Sequence, residues 1–87
     1  MHYKGGIMNY DLVPENVKDS IVRYVDHRIE PGSFLIAVLS NNLSEAVGRA
    51  DHINIRLLPE IVNFIYNKIP AGCWGSFDKV SKWLEER

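Results

Sequence analysis

The sequence that decides the fold runs Gly32-Ser33-Phe34-Leu35-Ile36-Ala37-Val38-Leu39-Ser40-Asn41-Asn42. Residues 34–39 are all apolar, so this segment must be buried on nearly every side, and its length alone would also permit a buried strand. We expect a helix over residues 33–40, because the Ser33 hydroxyl can cap its first turn and helical patterns lie on both flanks. Asn41 and Asn42 then form a turn.

Helical spacing of apolar residues predicts four further segments outward from this stretch, over residues 14–28, 43–50, 55–68 and 76–87. Pro59 is difficult to place, since a proline inside a helix costs about 3 kcal/mol. Either the fourth helix begins near Leu58, or residues 51–58 form a kinked lead-in. The pattern predicts an all-α, compact single domain of about five short helices.

The N-terminus carries a different pattern from the rest of the chain. We expect residues 1–13 to be a flexible segment and residues 14–87 to be the helical domain. Lys4-Gly5-Gly6 precedes Met8, as it would if a purine-rich ribosome-binding sequence were translated in frame. Residues 1–7 are therefore interpreted either as a non-native start or as an ordinary flexible N-terminus. No signal-peptide pattern and no apolar run of roughly 18–20 residues is present, which predicts a cytoplasmic protein without a membrane span.

Composition argues against several classes of function. The chain has 87 residues and a net charge of −1, with Lys and Arg spread singly, whereas proteins that bind nucleic acid usually carry a basic face. The single cysteine, Cys73, excludes an intrachain disulfide and fits a reducing compartment as a small, half-buried thiol. His2, His27 and His52 lie far apart without partners at ligand spacing, so we expect no metal site and no cofactor.

Catalytic arrangements are also missing from the sequence. A nucleophile needs a base within reach and a group that orients that base. Ser33 lacks the strand–turn–helix context of a nucleophile elbow, and no paired carboxylates border an apolar cleft. The sequence therefore predicts a protein that is not an enzyme.

The tripeptide Gly-Ser-Phe occurs twice, at residues 32–34 and 75–77, each time at a predicted helix start. Each start offers backbone amides to an anion, and Trp74 beside the second copy could stack on a ring. This pattern predicts a ligand-binding site with polar contributions from several loops. Its candidate residues are Gly32, Ser33, Asn41, Arg49, Asn54, Trp74, Gly75 and Ser76. The alternative interpretation makes the serines helix caps, the asparagines turn residues and Trp74 a core residue.

Self-association is a further expectation. The helix over residues 33–40 is apolar on nearly every face, more than an 87-residue monomer can easily cover. We therefore expect a homo-oligomer that buries part of this helix or of the C-terminal helix. Within the C-terminal helix, Phe77, Val80, Trp83 and Leu84 are predicted to close the core.

Much of the chain, from about Pro14 onward, resembles a family of small phage and prophage proteins without an established activity. The resemblance rests on residues 29–46 and on Arg49-Ala50-Asp51 with Asn54. It extends to Ile61-Val62, Tyr66-Asn67, Pro70 and Trp74-Gly75-Ser76. The family often has Asn-Asp where this chain has Asn41-Asn42, so the resemblance implies no carboxylate role there. It implies a setting in the cytoplasm of a bacterial host and, by analogy, a counter-defence role.

Three functional hypotheses follow from the site and the setting. The first is a non-catalytic counter-defence protein that sequesters a small nucleotide immune signal. The second is an inhibitor that binds a host defence protein. The third is a small helix-turn-helix-like DNA-binding regulator, for which Glu45 and Asp51 are unfavourable because a recognition helix should present donors to base edges.

Overall fold

The computed structural model describes residues 10–86, which form helices joined by short turns and contain no strand. The α-helices in this range are α1 (Glu15–His27), α2 (Ser33–Leu39), α3 (Leu43–Arg49), α4 (His52–Arg56), α5 (Leu58–Lys68) and α6 (Phe77–Glu85). Two 3-10 turns, Tyr10–Leu12 and Ala71–Cys73, precede α1 and α6. The predicted all-α single domain is confirmed. No helix in the described range is long and apolar enough to cross a membrane.

Two helices stand where the sequence predicts one helix over residues 55–68, and Pro59 explains the division. Asp51 caps α4, since its carboxylate oxygen accepts the backbone N–H of Asn54 at 2.7 Å. Pro59 is the second residue of α5, where a backbone N–H would have no acceptor within the helix, so the proline ring is tolerated. A helix therefore begins at Leu58, as one of the two alternatives predicts. The preceding segment, residues 51–58, contains the separate helix α4.

Helix α2 lies at the centre of the domain. Five of its seven residues are buried within the single chain: Phe34, Leu35, Ala37, Val38 and Leu39. Side chains of α1, α5 and α6 complete the same core, among them Ile21, Ile61 and Val80. The expectation that α2 carries more apolar surface than a monomer can cover is therefore wrong, and self-association needs a different surface.

Tyr24 of α1 forms hydrogen bonds to the C-terminal part of the chain. Its side chain is fully buried, and its hydroxyl donates to the Cys73 carbonyl at 2.7 Å. Burial holds the pKa of the Tyr24 phenol well above its ordinary value, so the hydroxyl remains a donor. The Tyr24 carbonyl accepts the indole N–H of Trp83 at 2.9 Å, and the Arg28 guanidinium stacks 3.8 Å from the centre of the Trp83 ring. These contacts hold α6 against α1.

Cys73 is more deeply buried than the sequence suggests. The thiol has no exposed surface, where a half-buried position is predicted, and it donates to the Pro70 carbonyl at 3.2 Å. Burial raises the pKa of the Cys73 thiol, which keeps the group protonated. Cys73 is therefore a core residue and a poor nucleophile.

The packed domain extends upstream of residue 14. Val13 is buried, and the Tyr10 ring meets the Phe64 ring of α5 edge-on at 5.4 Å between centroids. Tyr10 and Val13, assigned by sequence to the N-terminal segment, therefore pack against the helical domain, whereas Asp11 and Leu12 are exposed. The predicted non-native start over residues 1–7 lies outside the described residues.

Candidate functional site

A groove of about 460 Å³ forms a concave surface in the described part of the chain. It lies over α2 and α3 and is bordered by the first residue of α6, and we call it the α2–α3–α6 groove. Its lining residues are Glu30, Ser33, Ile36, Ala37, Ser40, Asn42, Glu45, Arg49 and Phe77. A volume of this size is within the range of small-ligand sites, about 300–1,000 Å³.

The groove combines apolar surface with polar groups that lack partners. Ile36 and Ala37 of α2 supply aliphatic surface, and Phe77 is 66% exposed although its ring is large and apolar. The Ser40 hydroxyl is buried and has no hydrogen-bond partner among the described residues. Ser33 makes no side-chain capping bond. Such a surface suits a ligand that brings both an apolar group and hydrogen-bonding groups.

The charge balance of the groove is acidic. The Arg49 guanidinium donates to the Glu45 carboxylate at 2.7 Å, and both side chains are about half exposed. Glu30 lines the groove from the loop before α2 and has no hydrogen bond or ion pair with any residue in the described range. Two carboxylates and one guanidinium, itself paired, therefore favour a cationic group in the groove.

Two of the predicted site residues lie in this groove, and a third is adjacent to it. Ser33 and Arg49 line it, and Gly32 directly precedes Ser33. The expected capping role of Ser33 is wrong, because Gly32 is the N-cap of α2 and Ser33 is already helical. The Ser33 hydroxyl is therefore free of a capping role.

The second Gly-Ser-Phe copy has structural partners instead. The Gly75 N–H donates to the Leu39 carbonyl at 2.7 Å and so satisfies the end of α2, with Gly75 at a φ of +114° that favours glycine. Ser76 caps α6 by accepting the Lys79 N–H at 3.1 Å. Trp74 is half buried against the core and meets Tyr66 edge-on at 6.1 Å. None of Trp74, Gly75 and Ser76 lines the groove, although Phe77, the next residue, does.

The predicted asparagines serve the backbone and lie outside the groove. Asn41 has a φ of +61°, its N–H donates to the Val38 carbonyl, and the following Asn42 N–H donates to the Ala37 carbonyl. This arrangement is a Schellman motif that ends α2. Asn54 lies in the first turn of α4, and its N–H is occupied by Asp51. Neither Asn41 nor Asn54 is placed beside Ser33 and Arg49.

Several groove residues are not identified by the sequence pattern. Glu30, Ser40 and Glu45 carry no motif, and their proximity depends on how α2 and α3 pack. Phe77 was predicted to close the core, and that prediction is wrong because its ring is mostly exposed. The helical spacing of Phe77 to Val80 and Leu84 gives no signal of this exposure.

The two Gly-Ser copies offer a matched test of their different roles. Ser76→Ala removes the acceptor of the Lys79 N–H and should lower the free energy of unfolding by about 1 kcal/mol. Ser33→Ala removes no capping bond and should change it by less than about 0.5 kcal/mol. Urea denaturation of both variants measures the difference. Equal losses would contradict the assignment of the caps.

No group of three or more His, Cys, Asp and Glu side chains in residues 10–86 is arranged to hold a metal ion. A scan against protein-family models, a search of curated proteins and a search of solved structures find no match to the chain.

Proposed function

We propose that the chain is a non-catalytic binding protein that holds a segment of a partner protein in the α2–α3–α6 groove. The segment would carry an apolar side chain next to a lysine or arginine. The apolar side chain packs on Ile36, Ala37 and the exposed Phe77 ring, and the basic group meets Glu30. Aromatic side chains that anchor such contacts typically carry a large share of the binding energy.

One observation carries this proposal, namely that an unpaired carboxylate and an exposed aromatic ring line the same groove. Glu30 has no partner in the described chain, and Phe77 leaves two thirds of its surface to solvent. Exposed apolar surface rimmed by polar groups is typical of a protein-binding site. A cation from the partner would remove the excess negative charge of the groove.

Sequestration of a small nucleotide signal is the second candidate, and Arg49 with the Phe77 ring favours it. Arg49 could meet a phosphate and Phe77 could stack on a base. The charge balance opposes it, because a phosphate would compete with Glu45 for Arg49 and would lie near Glu30. Trp74, the ring expected to stack, is half buried against Tyr66 and does not line the groove. The protein partner is therefore the better-supported candidate.

The resemblance to small phage and prophage proteins supplies the setting of the proposal. In that setting the partner would be a host defence protein, and binding would inhibit it. The DNA-binding alternative has less support, since α3 presents Glu45 beside Arg49 and α2 is a buried core helix.

The experiment is a selection of random displayed peptides on the folded full-length chain. We expect enriched peptides to share a basic residue close to an apolar one. Phe77→Ser should weaken their binding by about tenfold or more, because it removes the exposed ring from the groove. Ile53→Ser is the matched control, since Ile53 is exposed on α4 and does not line the groove.

Two results would contradict the protein-partner proposal. Selected peptides could bind the wild type and Phe77→Ser equally well. Alternatively, the protein could be recovered from infected cells and release a nucleotide when it is denatured. In that case the nucleotide would bind the wild type, and the selection would enrich no peptide. The second result would support nucleotide sequestration instead.

A further inference from the structure

A second surface is formed by uncharged side chains on α3 and α5 that do not line the groove. Leu43 and Val47 lie one helical turn apart on α3 and are 69% and 47% exposed. Val62 and Tyr66 lie one turn apart on α5 and are 40% and 69% exposed. Residues four apart share a helix face, so each pair forms a short apolar ridge. We call these four residues the α3–α5 patch.

The two ridges meet at Leu43 and Val62. Leu43 and Val62 line the same shallow depression of about 50 Å³, whose floor includes Val38 and Ala46. Helix α3 separates this surface from the groove, because Glu45 and Arg49 line the groove while Leu43 and Ala46 line the depression. None of the four patch residues lines the groove, although Asn42 lines both the groove and the depression.

We infer that the α3–α5 patch is the interface between two copies of this chain, related by a two-fold axis. A two-fold interface places the same surface on both partners, so the surface must be complementary to itself. The patch meets this requirement because its four side chains carry no charge, and like charges therefore do not oppose each other there. Asn41 borders the depression, and its amide, like the Tyr66 hydroxyl, both donates and accepts hydrogen bonds.

The area of the patch is compatible with a dimer. From their exposed fractions, the four side chains present apolar surface on the order of 400 Å², comparable to the largest patch on a typical monomer. Pairing two such patches, with the polar residues around them, approaches the roughly 1,200–1,600 Å² of a small specific interface. Helix α2, in contrast, is already covered within the chain.

The test is the mass of the full-length protein in solution, measured by light scattering at micromolar concentration. We expect the wild type to have about twice the 10.0 kDa chain mass. Val47→Lys should have the mass of one chain, because it places like charges across the axis. Val22→Lys is the matched control, since Val22 is also a helical valine, is 47% exposed and lies on α1. It should remain dimeric.

Circular dichroism establishes that each variant is folded, and Leu43→Lys replaces Val47→Lys if the latter is not. A single-chain mass for the wild type overturns the inference. A dimeric mass for the folded patch variant also overturns it, as does dissociation of Val22→Lys to the same extent as that variant. None of these outcomes depends on peptide binding, so the dimer and the groove are tested separately.

Discussion

Replacing Tyr24 with alanine is expected to lower the free energy of unfolding by about 3–5 kcal/mol. The ring is fully buried, so its loss leaves a cavity between α1 and the C-terminal part of the chain. The variant also leaves the Cys73 carbonyl without the hydroxyl that donates to it at 2.7 Å. Since small domains are stable by only about 5–15 kcal/mol, this loss is a large part of the total. Urea denaturation followed by circular dichroism measures it.

Tyr24→Phe separates the ring from the hydroxyl. It keeps the packing and should cost about 1–3 kcal/mol, because a buried carbonyl loses its hydrogen bond. Tyr66→Phe is the control, since Tyr66 is mostly exposed and its hydroxyl makes no hydrogen bond in the described structure. It should cost less than about 0.5 kcal/mol. A Tyr24→Phe variant as stable as the wild type would show that the Tyr24–Cys73 bond contributes nothing.

Most of the helices could be predicted because their signals are local. Apolar spacing identifies α1 and α6, and Ser76 marks the start of α6 correctly. The two Gly-Ser-Phe copies nevertheless differ, although their sequences are identical. Ser76 has extended backbone angles and caps α6, whereas Gly32 takes that position before α2 and leaves Ser33 in the first turn. Which of two adjacent small residues becomes the cap depends on how the incoming chain is held, and a tripeptide does not encode that.

The groove could not be predicted from the sequence because it depends on long-range packing. The hydrogen bond from the Gly75 N–H to the Leu39 carbonyl brings the start of α6 to the end of α2. That contact places Phe77 in the same groove as Ser33 and Glu30. Phe77 is predicted to be a core residue because its spacing to Val80 places both on one face of a helix. Spacing alone does not show how far along the helix the buried part of that face extends.

The expected self-association illustrates the same limit. An apolar helix can be covered by its own chain or by a second copy, and composition does not distinguish the two. Helix α2 is covered by its own chain, while Leu43 and Tyr66, for which the sequence predicts no part in self-association, remain mostly exposed. Which apolar side chains remain exposed for a partner depends on which ones the folded core has buried.

Glu30→Lys is expected to reverse the charge preference of the groove. In the wild type the groove holds two carboxylates and the Arg49 guanidinium, so its formal charge is −1. The variant changes this to +1 and places like charges beside the basic residue of a bound peptide. We expect the affinity for a selected basic peptide to fall by at least about tenfold, which is about 1.4 kcal/mol. Asp19→Lys, an exposed substitution on α1 outside the groove, should change it by less than about twofold.

The most direct measurement of groove binding is a charge-swap titration with one selected peptide and a version whose basic residue is glutamate. Wild type, Glu30→Lys and the control Asp19→Lys are each titrated with both peptides at low salt. We predict that the basic peptide prefers the wild type and the acidic peptide prefers Glu30→Lys, with a coupling free energy above about 1 kcal/mol. Equal affinities of both proteins for both peptides, or a coupling no larger than that of Asp19→Lys, would contradict binding in the α2–α3–α6 groove.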